Sequence, residues 1–390
     1  MTAIRVALIG LSSVAKTSWA AQGHLPYLSS AKGRRHYEIV ALLNSTKSAA
    51  EAARQHFGLP SNVRTYGDPT LLAQDPEVDL VVCNTRVDVH FSSIEPSIAA
   101  GKAVYVEWPL TENLQRAYQL TRGQPLPNSI MGLQGRVAPV ITTLKDLLDS
   151  GRIGPVLSSD IKAFGKLLAN DALPTGLSYF AERAVGGNPI TIAYAHMIDF
   201  VHEVLGNFES FQSRMTIQQP TIKLLGSGGE DLGTVTSDVP DFLAVHGIVK
   251  GRRTASDGAV LAVTFRNGKP FKDTPAFTWT INGQKGEILV VSPSGPYIHS
   301  DSYHAPITIQ VHDHATNQVE TVEWDWEDWQ KELPIRARIV AELYERFAWW
   351  WENGRPTGQL PDNREWPRLH DGLGRLQELE ELFAQYDKQQ

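Results

Sequence analysis

The stretch "IRVALIGLSSVA", residues 4–15, contains the first regular element of the chain and sets the pattern of its first third. Ile4 to Ile9 form a nearly unbroken apolar run, the pattern of a strand covered on both faces in a parallel sheet. Gly10 comes next, then a loop, then a helical stretch expected from about Lys16 to Ser30. The cycle recurs along the chain. "YEIVALLN" (37–44) reads as a strand, and "STKSAAEAARQHFG" (45–58) as a capped, alanine-rich helix that stops at Gly58. "VDLVVCNT" (78–85), "FSSIEPSIAAG" (91–101) and "AVYVE" (103–107) repeat strand, helix, strand. A helix around 114–122 and a strand in "SIMGLQG" (129–135) complete the series. Alternation at this spacing implies a doubly wound parallel sheet over residues 1–135.

After residue 136 the texture changes. One helix (137–150) ends at Gly151, and seven strand-like runs come after it, from "PVLSSDIKAFG" to "ITIQVHD". Turn pairs such as Asn267-Gly268 and Asn282-Gly283 point to an open, mainly antiparallel, meandering sheet. The helical stretch 186–206 interrupts this series, and "IRARIVAELYERFAWWWENG" and "PRLHDGLGRLQELEELFAQY" close the chain. Residues 136–390 therefore read as an α+β domain whose final helices return toward the first.

The chain has 390 residues, 42% of them hydrophobic and 20% charged, with a formal net charge of −7. That balance gives no basic footprint, so no nucleic-acid partner is expected. The single cysteine, Cys83, lies in an apolar run and reads as an inert core thiol in a reducing compartment. No segment has the length of a membrane span and the N-terminus lacks a signal-peptide pattern, so a cytoplasmic protein is expected. His202, His312 and His314 have no metal-ligand partners at suitable spacing, so no metal is expected.

Gly10-x-Ser12-x-x-Ala15 occupies the place of the Gly-x-Gly-x-x-Gly/Ala dinucleotide fingerprint of Rossmann domains, between a strand and a helix. Ser12 replaces the second glycine and offers a hydroxyl to phosphate instead. At the end of the second strand, where an acid commonly meets the ribose 2′-hydroxyl, the chain has Asn44-Ser45-Thr46-Lys47. Hydroxyls plus a lysine suit a 2′-phosphate, which favours NADP slightly and leaves NAD open. The other reading is that Ser45 or Thr46 simply caps the helix.

Taken together these features resemble the Gfo/Idh/MocA family (glucose–fructose oxidoreductase, inositol dehydrogenase, rhizopine catabolism). The matching segments are the fingerprint, "CNTRVDVHFSSIEPSIAAGKAVYVEWPL" (83–110), "GGNPITIAYAHMID" (186–199), "INGQKGEI" (281–288) and the closing helix. The resemblance implies a cofactor site that also draws on Asn84, Thr85, His90, Glu107, Trp108, Pro109, Gln134 and Arg136. It implies hydride transfer to or from a sugar, polyol or related hydroxylated substrate, with His196 as acid/base, and a homodimer or higher oligomer formed through the open sheet. Two departures stand out. The family lysine of Glu-Lys-Pro is Trp108, and the family aspartate four residues before His196 is Ile192. Neither side chain can exchange a proton. Tyr179 and Tyr194 are the remaining candidates for acid/base work.

A narrower resemblance is carried by "VEWPL", "LQGRVAP" (133–139), "AHMID", "VPDFL" (239–243) and "FRNGKP" (265–270). It is to the subgroup of the yeast galactose-pathway repressor, and it implies a catalytically silent, dinucleotide-gated co-regulator with a protein partner in the cleft and access to the nucleus. Structural readings stand beside these. His196 could be a core histidine bonded to Asp199, His90 a loop-to-backbone bridge, Arg136 a salt-bridge partner, and the tryptophans of "EWDWEDWQ" (323–330) packing groups.

Overall fold

The computed structural model describes residues 3–15, 18–165 and 172–389. Lys16, the expected start of the first helix, lies outside the described residues. The chain divides into two compact units, Met1–Gln134 with Glu327–Gln377, and Gly135–Trp326 with Glu378–Gln390.

The first unit begins with β1 (Ile4–Ile9), a π-helical turn (Ala20–His24) running into α1 (Leu25–Ser29), β2 (Tyr37–Leu43) and α2 (Lys47–His56). Then come β3 (Arg64–Tyr66), α3 (Pro69–Ala73), β4 (Leu80–Cys83), α4 (His90–Ala99), β5 (Ala103–Glu107), α5 (Leu114–Thr121) and β6 (Ser129–Gly132). The six strands are all parallel, in the order β3-β2-β1-β4-β5-β6. Strand side chains such as Val6, Leu8, Val82, Val104 and Tyr105 are fully buried, as a sheet covered on both faces requires. The order reverses between β1 and β4, and ligands of such sheets bind beyond the carboxyl ends of the strands at that switch point.

The second unit contains α6 (Pro139–Asp149), β7 (Val156–Gly165), β8 (Ala172–Pro174) and, after a π-helical turn at Ile190–Tyr194, α7 (Ala195–Leu205). Next are β9 (Asn207–Thr216), β10 (Thr221–Leu225), β11 (Asp231–Thr236), β12 (Phe242–Lys250), β13 (Ala259–Asn267) and β14 (Phe277–Gly283). β15 (Gly286–Ser292), β16 (Thr308–Asp313) and β17 (Gln318–Val322) complete it. Eight strands form a sheet in the order β17-β16-β15-β14-β7-β13-β12-β9, and β11-β10-β8 form a smaller one. The large sheet is antiparallel except where β13 runs parallel to β7. Asn282-Gly283 ends β14 at a hairpin into β15. Asn267-Gly268 makes no hairpin: the Gly268 N–H bonds the Gly165 carbonyl at 2.6 Å, and the chain passes over β7 to reach β14.

The chain then returns to the first unit through α8 (Asp328–Lys331) and α9 (Ile335–Glu352), the latter packed on the Ala20–His24 turn and α1. The final helix, α10 (Leu369–Asp387), belongs to the first unit through Gln377 and to the second from Glu378. The tryptophan-rich stretch straddles the same boundary. Trp324 and Trp326 pack on Tyr303 in the second unit, while Trp329 packs on Tyr27 in the first. No helix among the described residues is long and apolar enough to cross a membrane.

Candidate functional site

In the first unit β1 delivers Gly10 to the switch point with a φ of 87°. A β-carbon there would stand 3.1 Å from the Asn84 carbonyl and 3.2 Å from the Thr85 methyl, so both conformation and space call for glycine. The Ser12 hydroxyl accepts the Val14 N–H at 3.2 Å, holding the loop in a tight turn, and Ala15 is exposed at its far end. A cleft of about 760 Å³ opens beside this loop, lined among others by Gly10, Ser12, Asn44, Ser45, Thr85 and Val89.

Thr46 caps α2, its hydroxyl accepting the Ala49 N–H at 3.1 Å, and the Asn44 amide donates to the Leu11 carbonyl at 2.9 Å. Thr46 therefore serves the helix end, whereas Ser45 lines the cleft and Lys47 is exposed. Both polar atoms of the Asn84 side chain are shielded from solvent without a partner among the described residues. Shielded amides are rarely left so, and a bound polar ligand completes such a group. A glycine cradle, a serine hydroxyl and an uncompleted amide at the switch point fit a dinucleotide.

β5 carries Glu107 to the same sheet edge, followed by Trp108, which is buried, and a cis Pro109. The Glu107 carboxylate meets His24 Nε2 at 2.8 Å, and His24 Nδ1 meets the Tyr344 hydroxyl at 2.8 Å. Burial holds the Tyr344 hydroxyl well above the ordinary phenol range, so it remains a donor. The Glu107 carboxylate can only accept, so His24 donates to it from Nε2 while Nδ1 faces the Tyr344 hydroxyl. Gly132 makes room for this carboxylate, since a β-carbon there would approach Glu107 Oε2 to 2.5 Å. Glu107 is thus engaged inside the fold.

His90 spans two loops, with Nε2 2.8 Å from the Thr85 carbonyl and Nδ1 2.9 Å from the Pro109 carbonyl. Burial pushes its imidazole below the ordinary histidine value, while the facing carbonyls pull the other way. Its contacts are those of a bridge that fixes the ends of β4 and β5. Gln134, also buried, is the last residue of the unit's N-terminal segment.

In the second unit, α7 presents His196 and, one turn on, Asp199. Arg136 grips Asp199 with two bonds, Nε to Oδ2 at 2.9 Å and a terminal nitrogen to Oδ1 at 2.8 Å. The ring of His196 stacks on His299, centroids 3.8 Å apart. Tyr194 is fully buried with its ring edge against Phe265. Tyr179 is half-buried and lies against Phe180. Ile192 lines a small apolar pocket with Phe180, Pro189, Ala193 and Tyr297. Sequence reasoning missed His24, Tyr344 and His299. Each stands alone in its stretch, and only the fold gives it a polar or ring partner. Among the described residues no group of three or more His, Cys, Asp or Glu is placed to hold a metal ion.

Comparison with known proteins assigns this architecture. Residues 4–123 match the family model described as "Oxidoreductase family, NAD-binding Rossmann fold", and residues 139–292 the one described as "Gal80p, C-terminal domain". The chain is 30% identical over 294 residues to "Dehydrogenase aclE" of Aspergillus oryzae, covering 75% of this chain and 77% of that protein. This chain belongs to the Gfo/Idh/MocA oxidoreductase family. It is also 25% identical over 304 residues to the galactose/lactose metabolism regulatory protein GAL80 of Kluyveromyces lactis, covering 75% of this chain and 64% of that protein. Among solved structures, a super-repressor mutant of Gal80p from Saccharomyces cerevisiae superposes with a TM-score of 0.84 at 21% identity, covering 100% of this chain and 97% of that one. Levoglucosan dehydrogenase in complex with NADH and L-sorbose superposes at 0.73 and 17% identity, covering 100% and 98%. At these identities the structures speak for the fold, a parallel Rossmann-type sheet joined to a mainly antiparallel one. The family match supports NAD(H) binding and does not separate NAD from NADP.

Proposed function

We propose that this chain is an NAD(P)-dependent oxidoreductase acting on a hydroxyl-bearing carbon of a sugar, polyol or related metabolite. The observation that carries the proposal is the cleft at the β1–β4 switch point, lined by Gly10, Ser12, Ser45 and Thr85, with Gly10 closing on the backbone carbonyl of Asn84, a residue whose side-chain amide is also uncompleted. The nicotinamide, when bound, supplies the hydride chemistry. Gly10 lets backbone approach the diphosphate, Ser12 donates a hydroxyl to it, and Ser45 and Lys47 receive the ribose end, where a lysine tolerates a 2′-phosphate. His196 takes the proton of the substrate hydroxyl in the oxidising direction and returns it in the reducing direction. Trp108 serves as an apolar wall that excludes water. Arg136 holds Asp199 and thereby the helical turn that carries His196.

The test is single-turnover mixing of the protein with NAD or NADP across a panel of sugars and polyols, with nicotinamide absorbance as the readout. A change with at least one substrate, lost in His196→Ala, is expected. Tight dinucleotide binding with no absorbance change across the panel sinks the enzyme reading.

A second reading has its own support, because residues 139–292 match the Gal80p C-terminal domain and neither Trp108 nor Ile192 can exchange a proton. It makes the chain a dinucleotide-gated co-regulator with a protein partner, and tight binding without turnover favours it. In either reading we infer a homodimer through the open face of the eight-stranded sheet, where Ala244, Ala262, Thr264, Thr278 and Thr280 line a shallow concavity of about 390 Å³.

A further inference from the structure

Two imidazoles lie face to face in the second unit. His196 on α7 and His299 in the segment after β15 stack with centroids 3.8 Å apart and planes 11° from parallel. Each residue is 6% exposed. Two positive charges at that separation, shielded from water, repel strongly, so the pair accepts one proton and resists a second. One proton alone is well placed, because it sets a cationic ring on a neutral π face.

Around the stack, Tyr297 stands edge-on to His299 at 5.9 Å, and Gly135 closes on the His299 β-carbon. Among the described residues, charged groups on and against α7 include the opposite pairs Asp199 with Arg136, Glu203 with Lys145 of α6, and His202 with Glu378 of α10.

We propose that His299 is a positioning residue that shares one proton with His196 through this stack and so keeps His196 partly neutral, and able to act as a base, at acid pH. The proposal rests on His196 being the acid/base group. In the oxidising direction the substrate O–H bond breaks and an N–H bond forms on His196, which the neutral His299 face stabilises. Below the ordinary histidine range the one resident proton can sit on His299, so a fraction of the pairs keeps a neutral His196. Taking the substrate proton then makes the disfavoured doubly charged stack, so this His196 is available but a weaker base than one beside a neutral His299. A lone imidazole at the same pH is almost wholly protonated.

The experiment is an NMR titration of the ring Cε1 signals in histidine-labelled full-length protein, with His196 and His299 assigned by His196→Gln and His299→Gln. In the wild type the His196 signal is expected to move in two steps, the second at least about one pH unit below the first, meaning about tenfold weaker proton affinity. In His299→Phe, which keeps a ring in the stack, one full step is expected. A single full-amplitude step for wild-type His196 overturns the proposal, and that curve decides the matter even where a variant fails to fold. With a substrate in hand, His299→Phe should lower kcat/KM for oxidation about threefold at pH 5, less than the loss of neutral His196 because the paired base is also the weaker one, with a smaller change at pH 8. A panel without turnover defeats the oxidoreductase reading and leaves the titration curves to judge the proton-sharing pair alone.

Discussion

Gly10 and His90 show how single residues shape the cofactor end of the first unit. Gly10 sits at positive φ against the Asn84 carbonyl, so Gly10→Ala adds both backbone strain and a contact at 3.1 Å. We expect about 1 kcal/mol lower stability and about tenfold weaker dinucleotide binding, measured by urea unfolding and calorimetric titration. His90 carries a pH dependence. Burial holds its folded-state value below that of the unfolded chain, despite the Thr85 and Pro109 carbonyls. Below about pH 6.5 the unfolded state binds the extra proton, so the stability it contributes is full above that pH and lost as pH falls toward the folded value. His90→Gln should flatten this dependence. The gap in urea midpoint between wild type and variant should be largest near pH 7.5 and narrow near pH 5.5; a constant gap would count against the assignment.

Among the elements, β5 carries the most. Its five residues are all buried, and its terminal carboxylate is held by His24 from the π-helical turn before α1, backed by Tyr344 of α9. Removing the imidazole leaves a buried carboxylate without its donor, so His24→Phe should cost about 3 kcal/mol by chemical denaturation. Tyr344→Phe removes only the outer hydroxyl and should cost about 1 kcal/mol. The reverse order would mean that the hydroxyl, not the imidazole, secures β5. The strand itself was legible, since "AVYVE" is an apolar run bounded by Gly101 and Pro109. The His24–Glu107–Tyr344 chain was not, because its members come from segments far apart in sequence and each looks like an isolated polar residue. Thr46 illustrates the converse: a threonine ahead of an alanine-rich helix signals a cap, and local geometry alone satisfies it. The same contrast divides the candidate site, where the Gly10 loop follows from local pattern and the His196–His299 stack follows only from tertiary packing.

On the scale of the whole chain, parallel order in the first sheet followed from strand–helix alternation, which admits few other solutions. The second sheet was legible as antiparallel strands but not in its order, because β7 inserts between β13 and β14 and no local turn encodes that step. This ordering matters for assembly. It places β7, β12, β13 and β14 side by side, with Ala244, Ala262, Thr264, Thr278 and Thr280 on one face beside Asp160, Lys162 and His246. Small side chains allow close approach of a second sheet, and the opposite charges of Asp160 and Lys162 can pair across a two-fold axis, where each patch meets its own copy. Sedimentation at micromolar concentration is therefore expected to give twice the 43.1 kDa chain mass. Ala262→Asp puts two like charges near such an axis, and the double variant Ala244→Asp with Ala262→Asp puts four. Both should shift the mass to that of one chain, while far-UV circular dichroism keeps its shape because the substitutions lie on the outer face. A wild-type protein that sediments as a single chain, or a double variant that stays dimeric, would place the self-contact elsewhere.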